Sequence, residues 1–462
     1  MRKSILLPAF GLLFNLAFAQ QKDDKKLFAE FDKMLSEQYK TNETGATALV
    51  ARNGKIIFHK AFGMANLEYN IPMKVDNVFR IGSITKPFTA IAILQLMEQG
   101  KLSLYDDITK FIVDYPTNGH KITIEHLLTH TSGIPDFPSM KGYEKIETLN
   151  MTPSELIDFF KNKPMEFAPG TKWSYSNSGY FLLGYIIEIV SGKTYPQYVE
   201  ENFFKPLGMT NSLFGSDTKI VKNRAGAYVK DSTGFVNAPY LNMNQAYSSG
   251  AIQSTVEDLF LWYKAVHAFK LVKKESLDKA FSNHKLTNGT ETDYGYGWIL
   301  RDIQGSPTIG HSGSIDGFIS QSIYLPREDV FVAVFSNCNC NSSTAIGSKI
   351  AALAIEKPFE YKEINIENEL LKGYTGVYEN ESGQQVLITL VENQLYFKYP
   401  WKSKDKIKAY QKDKFFFENL VTTIEFSRNT RGDVEKLTVK NHTPRQNYYK
   451  TNKPIPIESE NK

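Results

Sequence analysis

Four residues, Ser83-Ile84-Thr85-Lys86, stand at the head of an apolar run from Pro87 to Met97, and this arrangement constrains the chain more than any other feature. The run has the character of a buried helix. Residues three apart on a helix share a face, so the Ser83 hydroxyl and the Lys86 amine can meet. A serine hydroxyl needs a neighbouring base to become a nucleophile, and a buried lysine with a lowered pKa can be that base. The helix N-terminus adds backbone N–H groups where an oxyanion would develop. The tetrad therefore predicts an acyl-transfer centre.

The bare Ser-x-x-Lys spacing also recurs elsewhere in the chain. Its other copies lie in mostly polar surroundings with no long apolar helix after them, and they begin at Ser216, Ser276, Ser282 and Ser403. An isolated copy is ordinarily a solvated lysine near a surface serine. Supporting elements elsewhere in the sequence must therefore decide whether Ser83 is a catalytic nucleophile.

Two supporting elements follow in order. Tyr175-Ser176-Asn177 precedes a second apolar helix, and His311-Ser312-Gly313 lies on a predicted strand. With these elements the chain resembles the serine hydrolases related to class C β-lactamases and penicillin-binding proteins, a superfamily that includes D-aminopeptidase-like and esterase-like members. The resemblance covers roughly residues 25 to 355. It rests also on blocks similar to those of the family, namely Leu127–Pro135, Phe167–Gly170, Pro206–Met209, Ser249–Ala251 and Tyr294–Trp298.

The resemblance implies catalytic roles for three residues. Ser83 would be the acylated nucleophile, Lys86 would hold its proton network, and Tyr175 would act as general base and then as acid toward the leaving group. A tyrosine with its ordinary pKa of about 10 works near neutrality only if adjacent cations lower that pKa. Lys86 and a protonated His311 could supply such a field.

The resemblance also implies a binding site. Asn177, His311 and Gly313 would contact the substrate, and the backbone N–H groups of Ser83 and Ser314 would form the oxyanion hole. The third element, His311-Ser312-Gly313, departs from the family. Penicillin-binding proteins and β-lactamases have Lys-Thr-Gly at this place, and that triplet does not occur in the chain. A histidine of pKa about 6.5 is mostly neutral at physiological pH, so its attraction for a substrate carboxylate should be weaker.

The predicted function is an exported serine hydrolase that works through an acyl-enzyme on Ser83. It would cleave ester or amide bonds, including those of D-amino-acid peptides, in a small-molecule or short-peptide substrate. Two alternatives stay open. One is a β-lactamase or a penicillin-binding D-Ala carboxypeptidase of the same mechanism, and the other is a catalytically silent ligand-binding or sensor protein. The sequence leaves the oligomeric state open.

Metal and cofactor chemistry have little support. His126 and His130 are four apart and would suit a metal pair on one helix face. Leu127 follows His126, however, where the metalloprotease motif requires glutamate. We therefore predict structural hydrogen bonding for both histidines, and we expect neither a metal nor a cofactor.

The chain termini and charge bear on localisation and partners. Residues 1–19 have the pattern of a signal peptide, with basic residues before an apolar stretch and Ala17-Phe18-Ala19 as the cleavage site. The stretch is too short for a confident membrane span, so we expect a periplasmic or secreted protein without a stable span after cleavage. The balance of 54 basic against 50 acidic residues argues against nucleic acid as a partner.

Cysteine usage is sparse. Cys338 and Cys340, separated by one residue, are the only cysteines in the sequence. An oxidising compartment would permit a disulfide. A bridge across one residue closes a strained ring, so we predict free or weakly paired thiols.

The predicted fold class is α+β. A hairpin signal at Asn53-Gly54 and strand-like runs from Tyr296 to Phe335 enclose a helical middle, which indicates an antiparallel sheet flanked by helices with a helical subdomain. Closely spaced strand-like runs near the C-terminus predict a small all-β, barrel-like domain. The predicted boundaries are 1–19 for the signal peptide, 20–357 for the hydrolase domain, 358–368 for a linker, 369–450 for the β domain and 451–462 for a disordered tail.

Overall fold

The computed structural model describes residues 9–216, 218–340, 343–380, 383–400, 403–418, 421–440 and 446–456, with side chains from Asp24 onward. The predicted signal peptide lies outside the described residues up to position 8, and from position 9 its backbone is part of the helix Ala9–Gln38. Residues 457–462 of the predicted tail also lie outside this part. No helix in the described part of the chain combines the length and the apolar character that a bilayer crossing requires.

The chain forms two compact units. The first comprises residues 1–282, 286–289 and 295–356, and the second comprises 283–285, 290–294 and 357–462. The division after residue 356 is close to the predicted end of the hydrolase domain. The domain boundaries given above remain predictions.

An antiparallel sheet of six strands forms the frame of the first unit, within the described residues. Its strands lie in the order Ile299–Ile303, Ser306–Ile315, Phe318–Leu325, Val330–Ser336, Ala46–Arg52, Lys55–Phe62. The N-terminal hairpin thus pairs with a strand from nearly 300 residues later. The predicted hairpin turn is confirmed, because Asn53 and Gly54 both have positive φ, 52° and 70°, as a type I′ turn requires. The strands are β1 (Ala46–Arg52), β2 (Lys55–Phe62), β3 (Ile299–Ile303), β4 (Ser306–Ile315), β5 (Phe318–Leu325) and β6 (Val330–Ser336).

Helices fill the chain between the two halves of this sheet, as predicted. Thr85–Glu98 is buried on almost every side, which is typical of a helix at the centre of a core. It packs against Asn177–Ser191 and Met243–Gly250. The other α-helices of the first unit are Ile124–Leu128, Pro153–Phe160, Tyr195–Val199, Lys205–Leu207, Val256–His267, Lys274–Ala280 and Ser343–Ala354.

Short elements complete the first unit. A π-helical turn, Glu200–Phe204, joins two of its helices, and 3-10 turns lie at Gly82–Ile84, Ile108–Lys110, Phe137–Ser139 and Tyr143–Lys145. The remaining strands pair outside the main sheet and are Met64–Asn66, Ile71–Pro72, Phe79–Arg80, Leu213–Phe214, Tyr228–Asp231, Gly234–Asn237 and Ile252–Ser254.

The second unit contains a closed antiparallel barrel of eight strands within the described residues, so the barrel-like prediction is confirmed. The first strand pairs with the last, with Tyr378 opposite Lys450, and apolar side chains fill the interior. A helix, Asn368–Tyr374, precedes the barrel. The strands are Gly376–Glu379, Gln385–Val391, Gln394–Lys398, Asp405–Gln411, Lys414–Phe417, Thr423–Arg428, Val434–Lys440 and Gln446–Lys450.

The cysteine prediction is wrong. Cys338 and Cys340 are joined in a disulfide. The turn that follows β6 places their Cα atoms 5.2 Å apart, a separation that disulfides ordinarily span, so one intervening residue is enough for a bridge.

Candidate active site

Ser83 lies on the 3-10 turn Gly82–Ile84, which runs directly into the helix Thr85–Glu98. Lys86 occupies the first turn of that helix. Its Nζ lies 3.2 Å from the Ser83 Oγ, so the structure brings the two groups together as their spacing predicts. The apolar run that follows Lys86 anchors this turn in the core and fixes the position of both side chains.

The Lys86 amine is completely buried and has three close oxygen partners. Besides Ser83, it lies 2.8 Å from the Asn177 Oδ1 and 2.9 Å from the Ser249 carbonyl oxygen. Burial lowers the pKa of Lys86 to about 7, although the charge of Asp136 acts in the opposite direction. Near neutral pH a large fraction of this lysine is therefore the free amine.

These contacts specify how a neutral Lys86 is oriented. A neutral amine has two hydrogens, and the Asn177 Oδ1 and the Ser249 carbonyl oxygen can only accept them. The nitrogen lone pair is then directed at the third neighbour, the Ser83 hydroxyl. Lys86 is thus placed to accept the Ser83 proton.

Tyr175 lies close to both Ser83 and Lys86. Its hydroxyl is within hydrogen-bonding reach of Ser83, and its ring centroid lies 4.7 Å from the Lys86 Nζ. Burial nevertheless raises the pKa of Tyr175 above its ordinary value, and the charge of Asp136 raises it further. The expectation that neighbouring cations lower the pKa of Tyr175 is therefore wrong, because desolvation of the buried hydroxyl is the largest influence on it. Tyr175 is a neutral hydroxyl at physiological pH.

Two residues with no predicted catalytic role, His130 and Asp136, hold Tyr175 and Asn177 in place. The His130 Nδ1 accepts a hydrogen bond of 3.1 Å from the Ser176 backbone N–H, and its ring centroid lies 4.3 Å from that of Tyr175. Asp136 accepts a 2.6 Å hydrogen bond from the Asn177 backbone N–H. Its carboxylate also contacts the Asn177 side chain, which leaves the amide oxygen directed at Lys86. His130 lies within the Leu127–Pro135 block, and Asp136 directly follows it. The resemblance of this block to the family was the sequence feature that could have pointed to both residues.

His311 is buried on β4, and its ring centroid lies 6.3 Å from that of Tyr175. Burial lowers the pKa of His311 to about 3, and the nearby charge of Lys86 lowers it too. The expectation that a protonated His311 supplies a positive field is therefore wrong. The Nδ1 lies 2.6 Å from the Ser312 carbonyl oxygen, which can only accept, so the neutral ring carries its proton on Nδ1.

The backbone of β4 lies directly against the nucleophile turn. A Cβ placed on Gly82, the residue before Ser83, would stand 3.0 Å from the Ser314 nitrogen. A Cβ on Gly313 would stand 2.0 Å from the Ile81 carbonyl oxygen. The two glycines thus permit the close approach that brings Ser314 beside Ser83, as the predicted oxyanion hole requires.

Replacement of Gly313 by alanine is expected to destabilise the first unit by about 2–3 kcal/mol, because the new methyl overlaps a backbone oxygen that cannot move aside freely. Urea unfolding of the purified protein measures the loss. Gly179→Ala is the matched control, since the nearest atom to its new Cβ would be the Leu127 carbonyl oxygen at an ordinary 3.5 Å. Equal stabilities of the two variants would contradict the close approach.

The two histidines weighed above as a metal pair both make the structural hydrogen bonds predicted for them. The His126 Nδ1 accepts a hydrogen bond from the Thr123 backbone N–H in a capping box, and His130 bonds to Ser176 as described above. Within the described ranges, no cluster of histidine, cysteine, aspartate and glutamate side chains suits a metal ion.

A serine within hydrogen-bonding distance of a helix-borne lysine, beside an antiparallel sheet, is the arrangement of a class of enzymes, the serine hydrolases with the β-lactamase/transpeptidase fold. Comparison with known families agrees with this class. The Beta-lactamase family model matches residues 25–355, and the chain belongs to that family.

Individual relatives cover most of the chain. Penicillin-binding protein 4* of Bacillus subtilis (strain 168) is 28% identical over 437 residues, which are 88% of this chain and 94% of that protein. The putative penicillin-binding protein PbpX of the same strain is 31% identical over 337 residues, covering 72% and 81% respectively. The structure is similar to that of the octameric penicillin-binding protein homologue from Pyrococcus abyssi, with a TM-score of 0.66 and 27% identity, covering 92% of this chain and 99% of that one.

Proposed function

We propose that this chain is an exported serine hydrolase that forms an acyl-enzyme on Ser83 and cleaves ester or amide bonds. The observation that carries the proposal is the position of the buried Lys86 Nζ, 3.2 Å from the Ser83 Oγ, in a setting that lowers the pKa of the lysine to about 7. A base of such a pKa is suited to proton transfer near neutral pH.

In the first step, the Ser83 Oγ attacks the substrate carbonyl carbon while its proton passes to the Lys86 Nζ. The backbone N–H groups of Ser83 and Ser314 stabilise the resulting oxyanion. The proton then returns through the Tyr175 hydroxyl to the leaving group as the carbonyl bond to that group breaks. Because the pKa of Tyr175 is raised, it relays this proton as a neutral hydroxyl and does not serve as a standing phenolate base. Water releases the acyl group by the reverse proton path.

The charges around the site bear on substrate choice. A neutral His311 stands where penicillin-binding proteins and β-lactamases have a lysine for the substrate carboxylate, so a carboxylate here gains little attraction. This favours esters and amides, including D-amino-acid peptides, that lack a carboxylate next to the scissile bond. A β-lactamase or a penicillin-binding D-Ala carboxypeptidase is the second candidate, because the relatives reported above are named as penicillin-binding proteins.

A substrate panel separates these two candidates. Turnover of p-nitrophenyl esters and D-aminoacyl anilides without cleavage of a chromogenic cephalosporin supports the first. Stable acylation by penicillin, or rapid hydrolysis of the cephalosporin, supports the second.

Replacement of Tyr175 by phenylalanine is expected to slow acylation by about 10²-fold, because the proton relay to the leaving group is lost while the ring packing is kept. Stopped-flow release of p-nitroaniline from a D-aminoacyl p-nitroanilide measures the rate, because an anilide nitrogen must be protonated to leave. Tyr115→Phe, a buried tyrosine to which we assign no catalytic role, is the control. A wild-type rate in Tyr175→Phe would remove the hydroxyl from the mechanism.

The experiment that tests the proposal as a whole is the intact mass of the protein after reaction with a fluorophosphonate probe. We expect one adduct on the wild-type protein and none on Ser83→Ala. The absence of an adduct on both proteins would favour the third alternative, a silent ligand-binding or sensor protein.

Export is part of the proposal. It is supported by the signal-like pattern of residues 1–19 and by the disulfide between Cys338 and Cys340, a bond favoured in oxidising compartments. Expression in a Gram-negative host is expected to yield a periplasmic protein that begins at Gln20, which N-terminal sequencing would detect. A cytoplasmic protein that retains residues 1–19 would contradict export.

A further inference from the structure

A strained turn lies directly before one of the oxygen partners of Lys86. The helix Met243–Gly250 is interrupted at Tyr247, whose φ of 37° and ψ of −131° are values that residues other than glycine rarely adopt. Two residues later, the Ser249 carbonyl oxygen lies 2.9 Å from the Lys86 Nζ. Strain of this kind persists only when surrounding contacts hold it, and it is concentrated at functional sites.

The contacts that hold the turn at Tyr247 come from one face of the helix Asn177–Ser191, from every fourth residue between Tyr180 and Glu188. The Tyr180 carbonyl oxygen accepts a 2.8 Å hydrogen bond from the Ser248 Oγ. Gly184 leaves room for the turn, since a Cβ there would stand 2.0 Å from that same Oγ. Glu188 accepts a 2.5 Å hydrogen bond from the Tyr247 hydroxyl.

The anchor at Glu188 is itself fixed in position. Its Oε1 also accepts a 2.8 Å hydrogen bond from the Tyr195 backbone N–H. The Tyr195 hydroxyl lies 2.7 Å from the Thr89 Oγ1, which donates a 2.7 Å hydrogen bond to the Ser248 carbonyl oxygen. The turn is therefore bonded on one side through Tyr247 and on the other through Ser248.

The same helix begins with Asn177, whose side-chain Oδ1 is the other oxygen that accepts a hydrogen bond from Lys86. A single rigid element thus sets the position of both oxygens that accept hydrogen bonds from the amine. We propose that Glu188 and the Tyr247 hydroxyl form a clamp that holds the strained turn, and so the Ser249 carbonyl, on Lys86. Tyr247 and Glu188 are positioning residues for the catalytic lysine, and this role deepens the function proposed above and rests on it.

The clamp has a measurable consequence for Lys86. A carbonyl acceptor stabilises the charged amine more than the neutral one, so loss of the Ser249 contact lowers the pKa of Lys86 further. The other titratable groups that face this amine are unchanged by substitutions in the clamp. They are Asp136, Tyr175, Tyr180, His130 and His311.

The test is an NMR titration of the full chain carrying ¹³Cε-labelled lysine, with the Lys86 signal assigned through Lys86→Met. We expect the midpoint of Lys86 in Tyr247→Phe to fall by about one pH unit relative to the wild type. Tyr198→Phe is the matched control, because it removes a buried hydroxyl that bonds to the Gln95 Oε1 at 3.2 Å. This control is expected to keep the wild-type midpoint, and an unchanged midpoint in Tyr247→Phe would overturn the clamp.

Substitutions of Glu188 test the clamp independently if Tyr247→Phe does not fold. Glu188→Ala removes the acceptor and is expected to lower the midpoint by the same amount. Glu188→Gln keeps an acceptor oxygen without the charge and is expected to retain the wild-type midpoint. A midpoint lowered equally in both variants would assign the effect to charge, and an unchanged midpoint in Glu188→Ala would remove the carboxylate from the clamp. Either result would overturn the proposal.

The titration uses unreacted protein, so its outcome does not depend on acylation of Ser83. Failure of the wild-type protein to react with a fluorophosphonate would count against the proposed function. It would leave the effect of the clamp on Lys86 to be decided by the titration alone.

Discussion

Substitution of Ser83 by alanine is expected to lower the turnover of p-nitrophenyl esters by at least about 10⁴-fold, because no other group can form the covalent intermediate. The loss should appear in kcat, with the melting temperature close to that of the wild type. Steady-state kinetics of the two purified proteins measures kcat, and thermal denaturation measures the melting temperature.

The sequence supplies a matched control for this substitution. Ser276 begins another Ser-x-x-Lys copy and is buried in the helix Lys274–Ala280. Ser276→Ala should therefore keep wild-type turnover. Substantial turnover by Ser83→Ala, at more than about one per cent of the wild-type kcat, would assign the nucleophile to another residue.

Replacement of Lys86 by methionine is expected to slow acylation of Ser83 by about 10³–10⁴-fold, because a side chain of similar length remains but the base is lost. Burst kinetics with a p-nitrophenyl ester measure the acylation rate. The fold should survive, since methionine adapts readily to a buried apolar space and the costly burial of an amine is removed.

Lys86→Arg separates the role of the base from that of the positive charge. An arginine keeps the charge but stays protonated at any accessible pH. It should therefore be as slow as Lys86→Met. Recovery of acylation in the arginine variant would show that charge, and not proton transfer, is what the site requires of residue 86.

The sequence predicted the part of the site that depends on local spacing. Ser83 and Lys86 are one helical turn apart, and the apolar run after them specifies a buried helix, so their meeting follows from helix geometry alone. Tyr175, Asn177 and His311 could be placed only through the resemblance to a family, because they come from elements that are distant in sequence.

What the sequence could not predict depends on burial and on long-range contacts. The Lys86 Nζ is 163 residues away from its partner in Ser249, and no local pattern marks that carbonyl. The raised pKa of Tyr175 and the lowered pKa of His311 could not be predicted for the same reason. Each shift is dominated by desolvation, which depends on how the whole unit packs.

The C-terminal barrel shows the limit of strand patterns. Six of its strands coincide with strand-like runs in the sequence, whereas Asp405–Gln411 and Gln446–Lys450 were missed. The six runs are Gly376–Tyr378, Val386–Val391, Leu395–Tyr399, Phe415–Phe417, Thr422–Phe426 and Leu437–Val439. Asp405–Gln411 directs only Ile407 and Ala409 inward between polar neighbours, so its alternation is weak. Closure of the barrel depends on pairing between strands and cannot be read from any one of them.

The central claim is that buried Lys86 activates Ser83. The rate at which a fluorophosphonate phosphonylates Ser83 with loss of fluoride, followed from about pH 5 to about pH 9, tests it most directly. In the proposed mechanism the neutral amine is the active form. Because the pKa of Lys86 is lowered to about 7, the rate should rise with pH and be half-maximal near that value. A rate that does not change over this range, or one that still rises toward the ordinary lysine pKa of about 10.4, would contradict the account.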